Sequence, residues 1–442
     1  MTLAEWVGRV ERREAQVGII GLGYVGLPLA LLFGEQGFRV LGFDIDAEKV
    51  ERLERGESYI HRIGAEEIEA ARARGFQATG DFKRVGEVDA VLICVPTPLH
   101  EDHTPDVSYV RGTVEAIAPW LRPGQMVVLE STTYPGTTEE IVVETIERLG
   151  KVKVVWDGQE RLDGVLVAFS PEREDPGNTE TPRKKIPKVV GGVGSAATEA
   201  ACALYGAVFE RTVAMSSPAA AEMTKLLENI YRCVNIALVN EMKQLCQHMG
   251  IDIWEVIDAA KTKPFGFQAF YPGPGVGGHC IPVDPFYLSW RAEQLGFPTR
   301  FIALAGEVNE SMPRVVVETV ERQLQAAGCG LSGSPVLVLG VAYKRDVDDL
   351  RESPALVVID MLRHAGAKVE YNDPYFPAIG RGRHYDLGMK STPLEELGRF
   401  DCVVIVTDHS SYDYAAIVRE SRLVVDSRNA TRGIASPKIV RC

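Results

Sequence analysis

A cysteine, Cys280, stands at the end of a glycine-dense run in the second half of the chain. From Tyr271 the run reads Tyr-Pro-Gly-Pro-Gly-Val-Gly-Gly-His-Cys, and Ile-Pro-Val-Asp-Pro follows it. Glycine lets a backbone approach a ligand or another segment closely. A thiol next to the start of a helix is favoured as the thiolate, which is the attacking form. The pattern predicts a nucleophile, although a buried structural cysteine is the commoner role for this residue.

Three further polar side chains could act with this thiol. Lys225 and Asn229 are four residues apart in a predicted helix, so they share a face and could hold an oxyanion. Asp284 precedes a proline, which fits the N-cap of a helix beginning close to Cys280. Solvated helix residues and a plain helix cap would show the same pattern, so both interpretations stay open on spacing alone.

Two other candidates follow predicted strands. Thr132 comes after the strand predicted at 126–130, and Glu172 comes after the strand predicted at 165–170. In open α/β sheets ligands bind beyond the carboxyl ends of the strands. Both side chains are therefore placed to reach a cofactor or a substrate, or else they form turns.

A dinucleotide-binding signature opens the chain. Gly21, Gly23 and Gly26 fit the spacing G-x-G-x-x-G directly after a predicted strand, and Asp44 ends the next strand about 20 residues later. A carboxylate there can take both ribose hydroxyls and would repel a 2′-phosphate, so NAD is predicted over NADP. Lys49 weakens this preference slightly, because a cation can sit beside a phosphate. A hydride acceptor together with a reactive thiol suggests an oxidation that passes through a thioester.

Apolar runs alternate with helical patterns in two regions of the chain. Strands are predicted at 17–21, 38–43, 90–95, 126–130 and 165–170, and again at 336–341, 368–371, 402–407 and 423–426. Strands separated by helices imply parallel sheets covered on both faces. The fold class is therefore α/β, with an NAD-binding Rossmann-like domain at 1–205 and a second Rossmann-like domain at 325–442.

A helical middle domain is predicted between these two, at 206–324. From Pro218 to Met249 the sequence has no internal glycine or proline, which predicts one long helix that closes at Gly250. Such a helix can join two domains and can offer a dimer surface. The middle domain carries the candidate lysine and cysteine.

Composition excludes some classes of function. A net charge of −13 over 442 residues argues against a general nucleic-acid binder. No apolar stretch is long enough to span a membrane, and the first residues lack the apolar core of a signal peptide. The eight cysteines form no Cys-x-x-Cys pair, so neither a metal site nor a disulfide framework is predicted. We expect a reduced, cytoplasmic enzyme.

Taken together, the chain resembles the nucleotide-sugar 6-dehydrogenases, relatives of UDP-glucose dehydrogenase. Two blocks are highly specific: Gly-Gly-His-Cys-Ile-Pro-Val-Asp at 277–284 and Tyr-Lys-Arg-Asp-Val-Asp-Asp-Leu-Arg-Glu-Ser-Pro at 343–354. The resemblance covers nearly the whole length and runs through 21–28, 131–136, 170–177, 222–229, 273–284, 343–355 and 426–428.

The resemblance implies a four-electron oxidation of the sugar's primary alcohol to a carboxylate with two NAD. Cys280 would attack the intermediate aldehyde, and the thiohemiacetal would become a thioester that water hydrolyses. Lys225 and Asn229 would stabilise oxyanions, while Lys225 and Asp284 would handle protons. Glu172 would position or activate water. Thr132 would orient this water and contact the nicotinamide side.

The binding residues are also implied by the resemblance. Arg351 would reach the cofactor, in one arrangement across a subunit boundary, and the UDP-sugar partner would bind mainly the last domain and the 270–277 loop of a homodimer or larger homo-oligomer. The cofactor set is Gly21, Gly23, Tyr24, Val25, Gly26, Asp44, Lys49, Thr97, Thr132 and Arg351. The substrate set is Glu172, Lys225, Asn229, Tyr271, Gly273, Gly277, Tyr343, Lys344 and Arg428.

The choice of sugar rests on one departure from the UDP-glucose pattern. Pro176 stands where that branch has a second glutamate, and the form Ser-Pro-Glu-Arg at 170–173 resembles the N-acetylhexosamine branch. The implied substrate is UDP-N-acetylglucosamine, with UDP-glucose, UDP-N-acetylgalactosamine and UDP-N-acetylmannosamine as alternatives. Two other functions stay open: a two-electron hydroxyacid dehydrogenase, which needs no thiol, and a dinucleotide sensor without turnover.

Overall fold

A computed structural model of the chain describes residues 1–60, 62–100, 102–156, 161–174, 182–382 and 385–442. These residues form two compact units. The first unit comprises Met1–Glu228 and Trp290–Leu295, and the second comprises Asn229–Ser289 and Gly296–Cys442.

Helices and strands alternate through most of the described residues. The helices are α1 Leu3–Glu11, α2 Gly26–Glu35, α3 Ala47–Glu54, α4 Ala65–Ala73, α5 Ser108–Ile117, α6 Glu144–Leu149, α7 Ser195–Gly206, α8 Pro218–Met249, α9 Ile253–Ala260, α10 Asp284–Gln294, α11 Arg300–Ala326, α12 Pro354–His364 and α13 Tyr414–Glu420. The strands are β1 Gln16–Ile20, β2 Arg39–Phe43, β3 Gln77–Thr79, β4 Ala90–Ile93, β5 Met126–Leu129, β6 Leu166–Phe169, β7 Lys188–Gly192, β8 Thr212–Met215, β9 Pro335–Leu339, β10 Lys368–Asn372, β11 Ala378–Arg381, β12 Asp386–Lys390, β13 Cys402–Ile405, β14 Val424–Asp426 and β15 Ile439–Arg441.

The first unit is built on an eight-stranded sheet in the order β3-β2-β1-β4-β5-β6-β7-β8. The first six strands in this order run parallel and reproduce the strand order of a dinucleotide-binding fold. One pair departs from the predicted parallel arrangement, because β7 runs antiparallel to β6. The strands β7 and β8 at one edge of the sheet, and β3 at the other edge, were not predicted from the sequence.

Both faces of this sheet are covered, as the unbroken apolar runs predict. In β4, Ala90 and Leu92 join one buried cluster, whereas Val91 and Ile93 join the cluster on the other face. Side chains alternate across a strand, so a strand that is apolar at every position needs cover on both sides. The unbroken apolar runs in these strands therefore reflect burial of both faces of the sheet. A sheet with one face in solvent would show alternating apolar and polar residues instead.

Helices replace strands in the middle of the chain. From Pro218 to Ala326 the regular elements are α8, α9, α10 and α11, as predicted for a helical middle. The predicted long helix is present as α8, with 32 residues. It ends where Gly250 takes a φ of +69°, a conformation that favours glycine.

The second unit holds a five-stranded parallel sheet in the order β10-β9-β13-β14-β15. Val336 and Val338 of β9 face one buried cluster, and Leu337 and Leu339 face another, so this sheet is also covered on both sides. The predicted cap of α12 is confirmed, because the hydroxyl of Ser353 accepts a hydrogen bond from the backbone N–H of Ala355 at 3.3 Å. Two Rossmann-like sheets and a helical middle therefore confirm the predicted fold class.

In the part of the chain that the structure describes, none of the helices has the length and apolar character needed to cross a membrane.

Candidate active site

The glycine-rich turn of the first unit links β1 to α2. Gly21 has a φ of +88°, and a Cβ on Gly26 would meet the carbonyl oxygen of Gly21 at 1.9 Å, so helix and strand pack this closely only without side chains. At Gly23, an added Cβ would meet nothing within 4 Å. Tyr24 is exposed, and Val25, at the N-cap position before α2, makes no side-chain cap hydrogen bond. The open space at Gly23 and the uncapped helix end fit the pyrophosphate of a dinucleotide.

Asp44 lies directly after β2 and braces this turn. Its two carboxylate oxygens accept hydrogen bonds from the backbone N–H groups of Leu22, at 2.9 Å, and Asp46, at 3.0 Å. Lys49 places Nζ 3.8 Å from the same carboxylate. A carboxylate has lone pairs left after two such bonds, so Asp44 can also accept from ribose hydroxyls. The residues present therefore fit NAD.

Thr97 and Thr132 follow β4 and β5, the strands that come next after β1 in the sheet. The hydroxyl of Thr97 donates to the carbonyl of Thr132 at 2.8 Å. Beyond Thr132, the carboxylate of Glu222 on α8 accepts from the N–H of Gly136 at 2.6 Å and from the N–H of Thr138 at 2.9 Å. Helix α8 thus holds the loop that carries Thr132.

Glu172 lies beyond β6, beside a group of buried charges. Lys188 of β7 donates to Glu130 at 2.6 Å, and its Nζ lies 4.0 Å from Oε2 of Glu172. The hydroxyl of Tyr205 donates to the other oxygen of Glu130. Oε2 of Glu172 is buried without a hydrogen-bond partner among the described residues. That oxygen is the one available to a water or a substrate group.

Charge decides the protonation state of Glu172. Burial alone would raise the pKa of this carboxyl, but the charges of Lys188, Arg183 and Lys225 and a backbone N–H outweigh burial and hold the pKa below its usual value. In Glu130 burial prevails, and the pKa is raised. Glu172 is therefore ionised at neutral pH and is a weak base there, which suits it to orienting water more than to accepting a proton.

In the second unit, the glycine loop packs against the segment that follows β9. A Cβ on Gly277 would lie 2.7 Å from Cβ of Tyr343, and Gly278, with a φ of +83°, would bring one within 2.9 Å of the Tyr343 ring. The N–H of Gly278 donates to the carbonyl of Arg351 at 2.9 Å. Two predicted substrate residues, Gly277 and Tyr343, are thereby in direct contact.

The start of the same loop packs against the segment that follows β14. A Cβ on Gly273 would lie 2.6 Å from a guanidinium nitrogen of Arg428. Asn240 of α8 accepts from the N–H of Gly273 at 2.9 Å, and Arg428 Nε donates to Asp408 at 3.3 Å. The loop is held at both ends, and it brings Gly273 and Arg428 together as predicted partners of one ligand.

Cys280 lies at the end of this loop, partly buried and not in a disulfide. Its carbonyl accepts from the N–H of Asp284 at 2.8 Å. Helix α10 begins at Asp284 itself rather than after it, so the aspartate stands in the first turn instead of the position before the helix. The amide of Asn229 donates to the Asp284 carboxylate and accepts from Arg232 through its oxygen. Asn229 and Asp284 are each 1% exposed, so they form a buried polar pair one helical turn from the thiol.

Tyr271 makes contacts of its own at the start of the loop. Its hydroxyl accepts from Nζ of Lys261 at 3.0 Å and bonds to Asp258 at 3.1 Å, while its ring stacks on Trp254 with centroids 5.5 Å apart. The side chain is 40% exposed, so it can still meet a ligand at the mouth of the loop.

Two predicted binding residues lie further along the segment after β9. Lys344 is partly buried next to Tyr343. Arg351 is exposed, and its guanidinium pairs with Asp349 at 2.7 Å. Pro176, on which the choice of sugar rests, lies outside the described residues.

Several residues that shape the site were missed at the level of sequence. Lys188 and Glu130 pair across strands far apart in the chain, and no local spacing signals them. Glu222 and Asn240 both lie on α8, where they hold the loops after β5 and before Cys280. A carboxylate or amide at a buried helix position is the only signal the sequence offers for such a role.

Comparison with known proteins identifies the family. Residues 15–209 match the NAD-binding domain of the UDP-glucose/GDP-mannose dehydrogenase family, residues 219–311 match its central domain, and residues 337–433 match its UDP-binding domain. The chain belongs to this family. It is therefore a nucleotide-sugar dehydrogenase that uses NAD, and its resemblance to the nucleotide-sugar 6-dehydrogenases is confirmed.

Individual family members are similar over almost the whole chain. The UDP-N-acetyl-D-mannosamine dehydrogenase of Escherichia coli K12 is 36% identical over 410 residues, which cover 90% of this chain and 94% of that protein. The structure of the Pyrococcus horikoshii UDP-D-ManNAc dehydrogenase is 30% identical, with a TM-score of 0.86 and coverage of 96% and 98%. A UDP-glucose dehydrogenase from Pyrobaculum islandicum is 29% identical, with a TM-score of 0.84 and 96% coverage of both chains.

Replacing Asp44 tests how this nucleotide-sugar dehydrogenase selects NAD. Asp44→Asn keeps the size of the side chain but removes the charge that repels a 2′-phosphate. We expect the KM for NAD to rise about 10- to 100-fold, since hydrogen bonds to charged groups contribute about 1.5–3 kcal/mol, and the preference over NADP to fall. Asp46→Asn is the matched control, because Asn caps α3 as well as Asp does. An unchanged NAD/NADP ratio in Asp44→Asn would contradict this role.

Replacing Lys188 tests the buried ion pair. Lys188→Met leaves the buried carboxyl group of Glu130 without its cation, so the free energy of unfolding should fall by about 3–5 kcal/mol in urea denaturation. Adding Glu130→Gln should restore much of the loss, since Gln still accepts from Tyr205. The exposed Lys185→Met is the control. If Lys188→Met alone is as stable as the parent protein, the Lys188–Glu130 ion pair is dispensable for stability.

Proposed function

We propose that the protein oxidises the primary alcohol of a UDP-N-acetylhexosamine to the carboxylate in two successive steps, through a thioester on Cys280. The observation that carries this proposal is the position of the Cys280 thiol, at the end of the glycine loop and one turn from the buried Asn229–Asp284 pair. A two-electron dehydrogenase has no use for this arrangement, because its product is released without a covalent intermediate.

Each proposed role follows from the chemistry of the residue. When bound, NAD accepts a hydride from the sugar carbon in each oxidation. The Cys280 thiolate adds to the aldehyde carbon, a C–S bond forms, and loss of hydride leaves the thioester. Water then adds, the C–S bond breaks, and the thiol is regenerated with the carboxylate.

The oxyanions that form in these reaction steps need hydrogen-bond donors, and the protons that are released need acceptors. We assign the first task to the Lys225 ammonium and the Asn229 amide, whose nitrogen carries a second hydrogen besides the one given to Asp284. Asp284 exchanges protons with the substrate oxygen, together with Lys225. The ionised Glu172 and the Thr132 hydroxyl orient the hydrolytic water.

Binding is divided along the chain in this proposal. Residues 1–205 hold NAD, 206–324 carry Lys225 and Cys280, and 325–442 hold the UDP group. The loop at 273–278 and the side chains of Tyr343, Lys344 and Arg428 surround the nucleotide, since backbone N–H groups and cations suit a diphosphate. Arg351, exposed on the second unit, is available to the cofactor of another subunit.

Among acetamido sugars we propose UDP-N-acetylmannosamine as the substrate. The E. coli and P. horikoshii proteins carry that name, and both are similar along nearly the whole chain. The Ser-Pro-Glu-Arg form resembles the N-acetylhexosamine branch as a whole, within which the resemblance implies UDP-N-acetylglucosamine, the C2 epimer. UDP-glucose is also assayed, because the P. islandicum relative is named a UDP-glucose dehydrogenase.

The deciding measurement is NADH formed per sugar, with the UDP-sugar limiting and NAD in excess. UDP-N-acetylmannosamine should yield two NADH per sugar, with UDP-N-acetylglucosamine, UDP-N-acetylgalactosamine and UDP-glucose run in parallel. Cys280→Ser should lower acid formation by at least about 10³-fold, because the hydroxyl is a far poorer nucleophile. The exposed Cys329→Ser is the control.

Other outcomes identify the alternatives. One NADH per sugar, or a fully active Cys280→Ser, would indicate a two-electron dehydrogenase. NAD binding without turnover of any of the four sugars would indicate a sensor. Turnover confined to UDP-glucose would reject the acetamido preference while leaving the thioester route in place.

We further propose that the protein works as a homodimer or larger homo-oligomer through an apolar stripe on α8. Large apolar side chains recur on this helix at intervals of three, four and seven residues, and each is at least 39% exposed: Met223, Leu227, Tyr231, Leu238, Met242, Leu245 and Met249. A stripe with this spacing is typical of helices that pack on another helix. A second copy of the chain offers the same stripe and so a complementary surface.

Sedimentation velocity tests the stripe. The parent protein should sediment as a dimer or larger, and Leu238→Glu with Leu245→Glu should shift it toward the monomer, because two charges would then be buried on association. Val357→Glu, at a residue 48% exposed on α12, is the control and should leave the assembly intact. An active parent that sediments as a monomer would refute the proposal.

A further inference from the structure

The second unit contains a cavity of about 680 Å³ at the C-terminal end of α8. Lys243, Gln247, Trp254, Ile434 and Arg441 are among its lining residues, and the exposed Gln247 and Arg441 stand where it opens to solvent. Its size lies within the range of small-molecule sites. None of the described residues that line it has a role in cofactor or substrate binding in the proposal above.

Lys243 is the unusual feature of this cavity. The residue is 2% exposed, and Nζ has no hydrogen-bond partner among the described residues. Burial lowers the pKa of the amine, and the nearby Arg428 lowers it too, while Cys442 and Asp426 raise it. An ammonium buried without a partner is costly, and an arriving counter-charge would relieve that cost.

The walls define what kind of molecule would bring this counter-charge. Ile251, Ile434 and Ile439 and the Trp254 ring give an apolar lining. The other cation, Arg441, already has Asp252 at 3.3 Å. Lys243, by contrast, has no hydrogen-bond partner among the described residues, and it lines the same cavity as these apolar side chains and the polar Gln247 and Ser436.

We propose that this cavity is a binding site for a small organic anion, with the anionic group at Lys243 and an apolar or aromatic body against Trp254 and the isoleucines.

The site is connected to the glycine loop within the same unit. The Trp254 ring stacks on Tyr271 at 5.5 Å with planes 13° apart. Asn240, one turn before Lys243 on α8, accepts from the N–H of Gly273. An anion in the cavity would therefore alter the loop and with it the KM for the nucleotide sugar. This effect on KM rests on the proposed function, whereas binding itself does not.

The probe that matches the cavity is 8-anilinonaphthalene-1-sulfonate, an anion with an aromatic body and an environment-sensitive fluorescence. Titrations of the full-length protein contain saturating NAD and UDP, so that the nucleotide sites are filled. We expect one probe per chain. Lys243→Met should weaken binding about tenfold or more, since a charged partner is lost while the side-chain volume is kept. Ala435→Trp, which places a bulky ring at an exposed lining residue, should abolish it.

The exposed Lys368→Met serves as the control and should bind the probe like the parent. Equal binding by parent, Lys243→Met and Ala435→Trp would overturn the site, as would displacement of the probe by UDP or NAD. Lys243→Met should also unfold at no lower urea concentration than the parent, because it removes a buried charge.

Kinetics separate this inference from the proposed function. The probe should change the KM for the nucleotide sugar in the parent protein and leave it unchanged in Lys243→Met. Probe binding that depends on Lys243 without turnover of any UDP-sugar would sustain the cavity site and reject the proposed function. Turnover with two NADH per sugar, together with probe binding that does not depend on Lys243, would support the proposed function and reject the cavity site.

Discussion

The second unit depends on a close approach that leaves no room for side chains. Gly277 and Gly278 place backbone directly against Tyr343, at distances where a Cβ would clash, and Gly273 lies against the guanidinium of Arg428. A loop that packs so tightly presents N–H groups and peptide dipoles instead of side chains, which is what a diphosphate requires. The same packing fixes where the loop ends, and therefore where the Cys280 thiol lies.

That contact requires Tyr343 and Arg428 to be held still, and the strand ends of the second sheet do this. Asp373, at the end of β10, accepts from the N–H groups of Val341 and Ala342 at 2.7 and 3.1 Å, and it bonds to His409 at 3.0 Å. Burial opposes ionisation of Asp373, but His409 and the backbone donors outweigh it and lower the pKa. A charged carboxylate bound by two loops makes the start of the Tyr343 segment rigid.

The sequence predicts those parts of the molecule that depend on local chemistry. The glycines of the turn at 21–26, the end of α8 at Gly250 and the Ser353 cap each follow from a conformation that few residues adopt, so pattern alone identifies them. The central strands of both sheets follow from apolar runs, whereas β3, β7, β8 and β15, at the sheet edges, do not. Cys280 and Tyr343 stand in the two specific blocks at 277–284 and 343–354, and Arg428 in the wider resemblance at 426–428.

What the sequence does not predict depends on pairs that meet only after folding. Lys188 and Glu130 are 58 positions apart, and either would be taken for a surface charge. The reversal of β7 against β6 has the same origin, because an apolar run carries no record of direction. Asn240 and Gly273 are 33 positions apart, and their bond gives no periodic signal. In each case the information lies in the three-dimensional contact and not in the spacing.

A net charge of −13 poses a difficulty for a protein that binds a dinucleotide and a UDP-sugar, since both are anions. The structure meets this difficulty by burying selected cations. Buried charges are screened less by salt than exposed ones, so they act more strongly on their neighbours. Lys188 donates to Glu130 at 2.6 Å, and its charge lowers the pKa of Glu172. Lys243 is equally buried and lacks such a bond. Burial of a charge is tolerated in a folded protein when a partner supplies the opposite sign. By that rule, the partner of Lys188 is part of the chain, and the partner that we propose for Lys243 is an anion bound from solution.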